Sequence, residues 1–244
     1  MSIWGKIIGG AAGFALGGPL GALLGASFGH AIDSGAAGSL GKAGREATAR
    51  VTFTIAVIAL GAKMAKADGV VTPDEVEAFK EVFHIPPHEM RNVGRVFDAA
   101  KQDTAGYEVY ARQVAKLFKD EPQVLEDLLG ALCHIANADG IIHPGEVEFL
   151  DNVARIFGFE GAELDAVKAC YMQPEESDPY TILGVTGDIS DKDLKKTYRR
   201  LVKEHHPDRL IAKGLPQEFV DVANERLAAI NGAYAKLAKR RGLK

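Results

Sequence analysis

Apolar and polar positions along this chain follow three different rhythms. From Ile7 to Ile32 there is no formally charged residue, and Gly9, Gly13, Gly17, Gly21, Gly25 and Gly29 recur at every fourth position among Ala, Leu and Phe. Between residues 50 and 171, apolar runs of helical length such as "FTIAVIALGAKMA" and "LEDLLGALCHIA" alternate with polar turns, and Pro87–Lys101 adds a further helix. After the break "MQPEESD", Leu194, Tyr198, Leu201 and His205 mark one helical face. Phe219, Ala223, Leu227, Ile230, Tyr234 and Leu237 mark another, on a helix starting near Pro216. The pattern predicts an all-α protein in five parts: an anchor (1–33), a juxtamembrane linker (34–49), a helical body (50–171), a short linker (172–177) and a helical tail domain (178–244).

The glycine stretch predicts a transmembrane helix. As a helix it would be about 39 Å long at ~1.5 Å per residue, enough to cross a bilayer with some tilt. A soluble Gly-rich tether has no reason to keep a period and would carry Ser, Asn or Lys. A cleaved signal peptide would want a more basic start than Lys6 provides. In water each helical glycine costs about 1 kcal/mol relative to Ala. In lipid, small residues let two helix backbones approach closely, so the stripe is expected to pair two anchors into a homodimer. Trp4 suits the membrane interface, and Lys42, Arg45 and Arg50 follow the stretch where only Lys6 precedes it. That bias puts the amino terminus outside and both folded parts in the cytoplasm.

The body repeats itself. "KADGVVTPDEVEAFKEVF" (66–83) returns 71 residues later as "NADGIIHPGEVEFLDNVA" (137–154), each after an apolar helical run, which predicts two related helical hairpins. Asp68 and Asp139 are each followed seven residues on by Glu75 and Glu146, four carboxylates that could be considered for a metal. Capping explains them better. Thr72-Pro73-Asp74-Glu75 reads as N-cap, proline at the first helical position and glutamate at the third, and His143-Pro144-Gly145-Glu146 is a weaker version. An EF-hand would need oxygen ligands at the third and fifth loop positions, where Val70 and Thr72 do not fit. No metal or other cofactor is predicted.

Charge divides the molecule further. Residues 178–244 hold 14 Lys and Arg against 9 Asp and Glu, a net +5, and the remainder holds 15 against 24, a net −9. A basic tail on an acidic body calls for an acidic partner. Nucleic acid is a poor fit, since the tail has few aromatic residues free for stacking. Cys133, in "LLGALCHIA", reads as a buried thiol, and Cys133 and Cys170 make neither a disulfide framework nor a metal site. The histidines and acids form no nucleophile–base pattern, so no enzyme activity is expected.

In the tail, Ser190 is placed to cap a helix with Asp191 and Asp193 in its first turn. Lys192, Lys196, Arg199 and Lys203, joined by Lys195 and Arg200, make its basic face. Pro207 ends that helix, because the residue before a proline is pushed out of the α region. His206-Pro207-Asp208 therefore lies at an exposed tip between two antiparallel helices, followed by the long loop "RLIAKGLPQE".

"DPYTILGV", "LKKTYRRLVKEHHPD" and "AAINGAYAKL" resemble the three helices of a J domain, although the family's usual fourth helix, Gly/Phe-rich segment and Cys-rich zinc module have no counterpart. The body, with its ADG-x5-E pattern, resembles the TerB-like helical family. The whole order, with a "WGKIIGG" start and "HHPDRLIAKGLP", resembles the DjlA-type membrane-anchored DnaJ-like co-chaperones. This resemblance implies a single-pass protein of the bacterial inner membrane that stimulates ATP hydrolysis by a cytosolic DnaK-type chaperone. Lys195, Lys196, Arg199, Arg200 and Lys203 would steer and dock onto that partner, with Asp208 accepting from a partner arginine, Pro207 fixing the tip and His206 orienting it. The competing expectation is a membrane-tethered metal or ligand sensor working through the body, with the tail domain accessory.

Overall fold

The computed structural model describes residues 53–64, 77, 79–80, 90–102, 106–138, 140–172, 175–212 and 219–243. The glycine stripe at residues 9–29, and Asp68, Glu75 and Asp139, lie outside them, as does most of the first repeat. Every regular element among the described residues is a helix, in agreement with the all-α expectation. None of the helices among them is long and apolar enough to cross a membrane.

The body contains α1 (53–64), α2 (Met90–Gln102), α3 (Tyr107–Leu117), α4 (Pro122–Ala136), α5 (Pro144–Phe157) and α6 (Ala162–Tyr171). α1 is buried on every side, as a helix apolar all round must be. Its Lys63 is buried too, and the ammonium sits 5.2 Å from the Tyr110 ring centre. α4 opens on Pro122, whose missing N–H costs nothing at a first helical position. In α4, Gly130 is required by a close approach: a Cβ there would fall 2.3 Å from the buried ring of Tyr171 on α6. The second repeat has the capping expected of it. Glu146 Oε2 accepts from the His143 backbone N–H at 2.9 Å, so this carboxylate serves the helix start. α5 ends at Gly158, with φ 91° and the Phe159 N–H donating to Ala154 O at 2.9 Å, a Schellman motif.

The tail contains α7 (Pro179–Ile182), α8 (Asp191–Glu204), α9 (Pro207–Ala212) and α10 (Val220–Arg241). Ser190 caps α8 as its position suggested, its hydroxyl accepting from the Asp193 N–H at 3.1 Å. Arg241, at the end of α10, donates to Ile189 O at 2.7 Å, Gly187 O at 2.9 Å and Asp191 Oδ1 at 3.0 Å. The carboxyl end of α10 thus lies against the amino end of α8, which makes the pair antiparallel. Leu194, Leu201, Ile230 and Leu237 are buried with them, and Tyr198 stacks on Tyr234 at 3.9 Å between ring centres.

One expectation needs correction. Pro207 does end α8, but the chain after it is not all loop, because residues Pro207–Ala212 form α9. The ring that breaks the preceding helix presets φ for the first position of a new one. Leu210 and Pro207 are buried and hold this turn down.

The tail also packs on the body, which the one-dimensional pattern did not announce. Phe219 meets Phe53 edge-on at 4.8 Å, and Phe53 meets Phe118 at 6.1 Å. All three are buried, each contributing roughly 1.5–3 kcal/mol by leaving water. The hydroxyl of Tyr171 lies 3.5 Å from both Asp127 Oδ1 in α4 and Val222 O in α10.

Candidate functional site

The His206-Pro207-Asp208 turn stands at the far end of the α8–α10 pair from the Arg241 clamp. His205 caps α8, donating its backbone N–H to Leu201 O at 2.9 Å. Arg209 Nη1 donates to Lys203 O at 3.3 Å and satisfies another carbonyl of that last turn. The Asp208 N–H donates to His206 Nδ1 at 3.3 Å. The His206 side chain is 51% exposed and that of Asp208 89%. Pro207 is buried between them. One buried ring therefore holds two exposed polar groups, one of them a carboxylate open to a charged donor.

Beside the turn, Tyr198, Arg199, Val202, Lys203, His206 and Arg209 line a shallow groove next to Asp208. The structure divides the predicted basic set. Lys196, Arg199 and Lys203 are exposed, and Lys195 is half-buried. Arg200 is exposed but pairs with Glu204 at 2.5 Å and borders a cleft toward the body. The surface next to His206 and Asp208 thus carries Arg199 and Lys203, while part of the charge of Arg200 is already balanced.

On the opposite side of α8 lies a group of residues that the sequence reading missed. Arg226 of α10 is buried, donates to Ala166 O at 2.9 Å and makes an ion pair with Glu126 of α4. The other oxygen of Glu126 is 3.5 Å from Nε2 of the buried His205. Burial pushes His205 below its ordinary value, against the pull of Glu126 and with the push of Arg226. Burial likewise raises Asp127 well above the usual carboxylate range, with Glu126 adding to it. A signal for Arg226 was present in the sequence: it sits four residues after Val222 and four before Ile230, a charge on an apolar stripe.

Of the other residues singled out in the sequence, Cys133, Cys170 and Glu146 are among those described. Cys133 and Cys170 are buried free thiols, pushed by burial to about 12 and about 11, which leaves them without thiolate character at neutral pH. Glu146 is in the α5 cap, and no group of three or more potential metal ligands occurs among the described residues.

Comparison with known proteins accounts for the same three parts in the same order. Residues 1–45 match the family model described as the co-chaperone DjlA transmembrane domain, 54–169 the tellurite resistance protein TerB, and 178–241 the DnaJ domain. The chain is 30% identical to the co-chaperone protein DjlA of Vibrio cholerae over 284 residues, covering 100% of both chains. It is 30% identical to that of Photobacterium profundum over 279 residues, covering 99% of this chain and 100% of the relative. The Coxiella burnetii protein of the same name is 29% identical over 200 residues, 74% of each chain. No solved structure matches.

Proposed function

Because the chain belongs to the DjlA co-chaperone family, we propose that its J domain stimulates ATP hydrolysis by a cytosolic DnaK-type chaperone and recruits it to the bacterial inner membrane. The observation that carries this reading is the His206-Pro207-Asp208 turn, exposed at the end of a clamped helix pair beside Arg199 and Lys203. The hydrolytic chemistry belongs to the partner, and this chain supplies the docking surface. Lys195, Lys196, Arg199 and Lys203 attract an acidic patch on the chaperone and set the encounter rate. Asp208 accepts a charge-assisted hydrogen bond from a partner arginine, and His206 orients the turn through the Asp208 N–H.

Residues 1–33 anchor the protein in the membrane with the amino terminus periplasmic and the body and J domain cytoplasmic, and the glycine stripe pairs two chains. The divisions at 50–171 and 178–244 are the working units, joined by 172–177.

The test is single-turnover ATP hydrolysis by a DnaK-type chaperone, with the full chain held in lipid nanodiscs. The wild type accelerates hydrolysis, and His206→Gln and Asp208→Asn abolish the acceleration without changing the far-ultraviolet circular dichroism. Absence of stimulation by the wild type, or equal stimulation by both variants, refutes the reading and returns attention to a sensor role for the body.

A further inference from the structure

The buried contact between body and J domain lies one residue from the exposed turn. Glu126 reaches two different elements of the J domain. One oxygen pairs with Arg226 on α10, and the other is 3.5 Å from Nε2 of His205, the cap of α8. His205 and Arg226 keep only 3% side-chain exposure each, and Glu126 keeps 15%. His205 is covalently followed by His206-Pro207-Asp208. A carboxylate of the body therefore lies against the residue from which the partner-binding turn departs. The same side of α8 borders a cleft of about 360 Å³ that Arg200, Glu204, Leu201 and residues of α4 share. The opposite side carries the groove at Asp208. The contact thus holds the turn from behind and leaves its recognition face clear.

We propose that Glu126 is a positioning residue for chaperone stimulation: through His205 it holds the His206-Pro207-Asp208 turn in its partner-ready orientation, so the TerB-like body belongs to the presenting apparatus. This rests on the proposed stimulation of a DnaK-type chaperone. The physical reason is pre-organisation. A helix end is the part of a helix most free to fray, and each group ordered only on binding subtracts from affinity. A turn whose preceding residue is already buried against the Glu126 carboxylate binds without that cost. Loss of Glu126 should then raise the co-chaperone concentration needed for half-maximal stimulation and leave the maximal rate largely unchanged.

Glu126→Gln alone strands the Arg226 cation in the seam and would destabilise it, so two other variants isolate the effect. Glu126→Gln with Arg226→Met leaves no unpaired buried charge. His205→Phe severs only the His205 contact and keeps the Glu126–Arg226 pair. Full chains in nanodiscs are titrated in the single-turnover assay, beside wild type and His206→Gln, and hydrogen exchange is followed at the Asp208 and Arg209 amides. Each of the two variants is expected to raise the half-saturating concentration at least about threefold, keep the maximal rate within about twofold, and speed exchange at both amides. Combining Glu126→Gln and Arg226→Met with His205→Phe is expected to raise it no further than the larger of the two effects, as for two ends of one link. Wild-type half-saturation and exchange in both variants, or fully additive effects, overturns the positioning role and leaves Glu126 a residue of the domain seam. No stimulation by the wild type overturns the proposed function itself, a separate result.

Discussion

Replacing Gly130 by alanine sets helix propensity against packing, and the structure says which wins. Gly130 lies inside α4, and an added Cβ would sit 2.3 Å from Cε2 and Cζ of Tyr171 and 2.8 Å from its hydroxyl. Ordinary carbon–carbon contact is about 3.5–4.0 Å, so the ring or the helix must shift by more than about 1 Å. Tyr171 is buried and has Asp127 on one side and Val222 of the J domain on the other, so it has little room to yield. Overpacking of this kind costs about 1–3 kcal/mol. Alanine in a helix interior returns about 1 kcal/mol relative to glycine. Gly130→Ala should therefore be destabilising by about 1 kcal/mol, lowering the melting temperature by roughly 2–4 °C for folded parts of this size. Gly232 in α10 is the internal control, since nothing stands within 4 Å of its added Cβ. Gly232→Ala should be stabilising by about 0.5–1 kcal/mol through propensity alone. Thermal unfolding of both full-length variants in nanodiscs, followed by circular dichroism, checks the contrast. If Gly130→Ala melts at or above Gly232→Ala, the close approach of α4 and α6 is wrong.

Three further outcomes are expected. Arg199→Ala should raise the half-saturating concentration for stimulation about threefold at low salt, and Arg200→Ala should do less, because Glu204 already balances it; the Arg199 effect should shrink as salt is raised, and equal effects would refute the division of the basic face. Burial holds His205 below its ordinary value despite Glu126, so its contribution to stability is present above about pH 6.5 and lost as pH falls through the lower folded value. The wild type should accordingly lose more melting temperature than His205→Phe between about pH 7.5 and pH 5.5, while Asp127, raised by burial and common to both, cancels in the comparison; parallel curves would refute it. Replacing Gly13, Gly17 and Gly21 with leucine should preserve membrane insertion and weaken self-association in a membrane reporter assay, and unchanged association would remove the pairing role of the stripe.

Much of the fold was legible because helices announce themselves locally. The Ser190 cap, the buried face of α8 at Leu194, Leu201 and His205, the Cys133 thiol and the capping role of Glu146 all follow from spacings of three or four residues. The exposure of His206 and Asp208 was legible for the same reason: a proline after a basic helix ends that helix, and the break exposes its neighbours. α9 was missed because the same proline also starts a helix, and whether it does so depends on Leu210 finding a core. Arg226 was missed because the letters place it on the apolar stripe without saying what would neutralise it there. Its partner Glu126 is 100 residues away.

By itself, the sequence determined that the described elements of the body and tail are helical, that α8 stops before Pro207, which of its faces are apolar or basic, and that His206 and Asp208 are exposed. Those properties depend on helix periodicity, proline stereochemistry and capping, all of which act within a few residues. Only the tertiary structure decided that Tyr171 fills the space left by Gly130, that the J domain packs on the body, and that Glu126 pairs with Arg226 and lies against His205. Such contacts depend on which two surfaces meet once each helix has formed. A buried charge tolerates only a geometry that brings its counter-charge to it, and that geometry belongs to the folded whole.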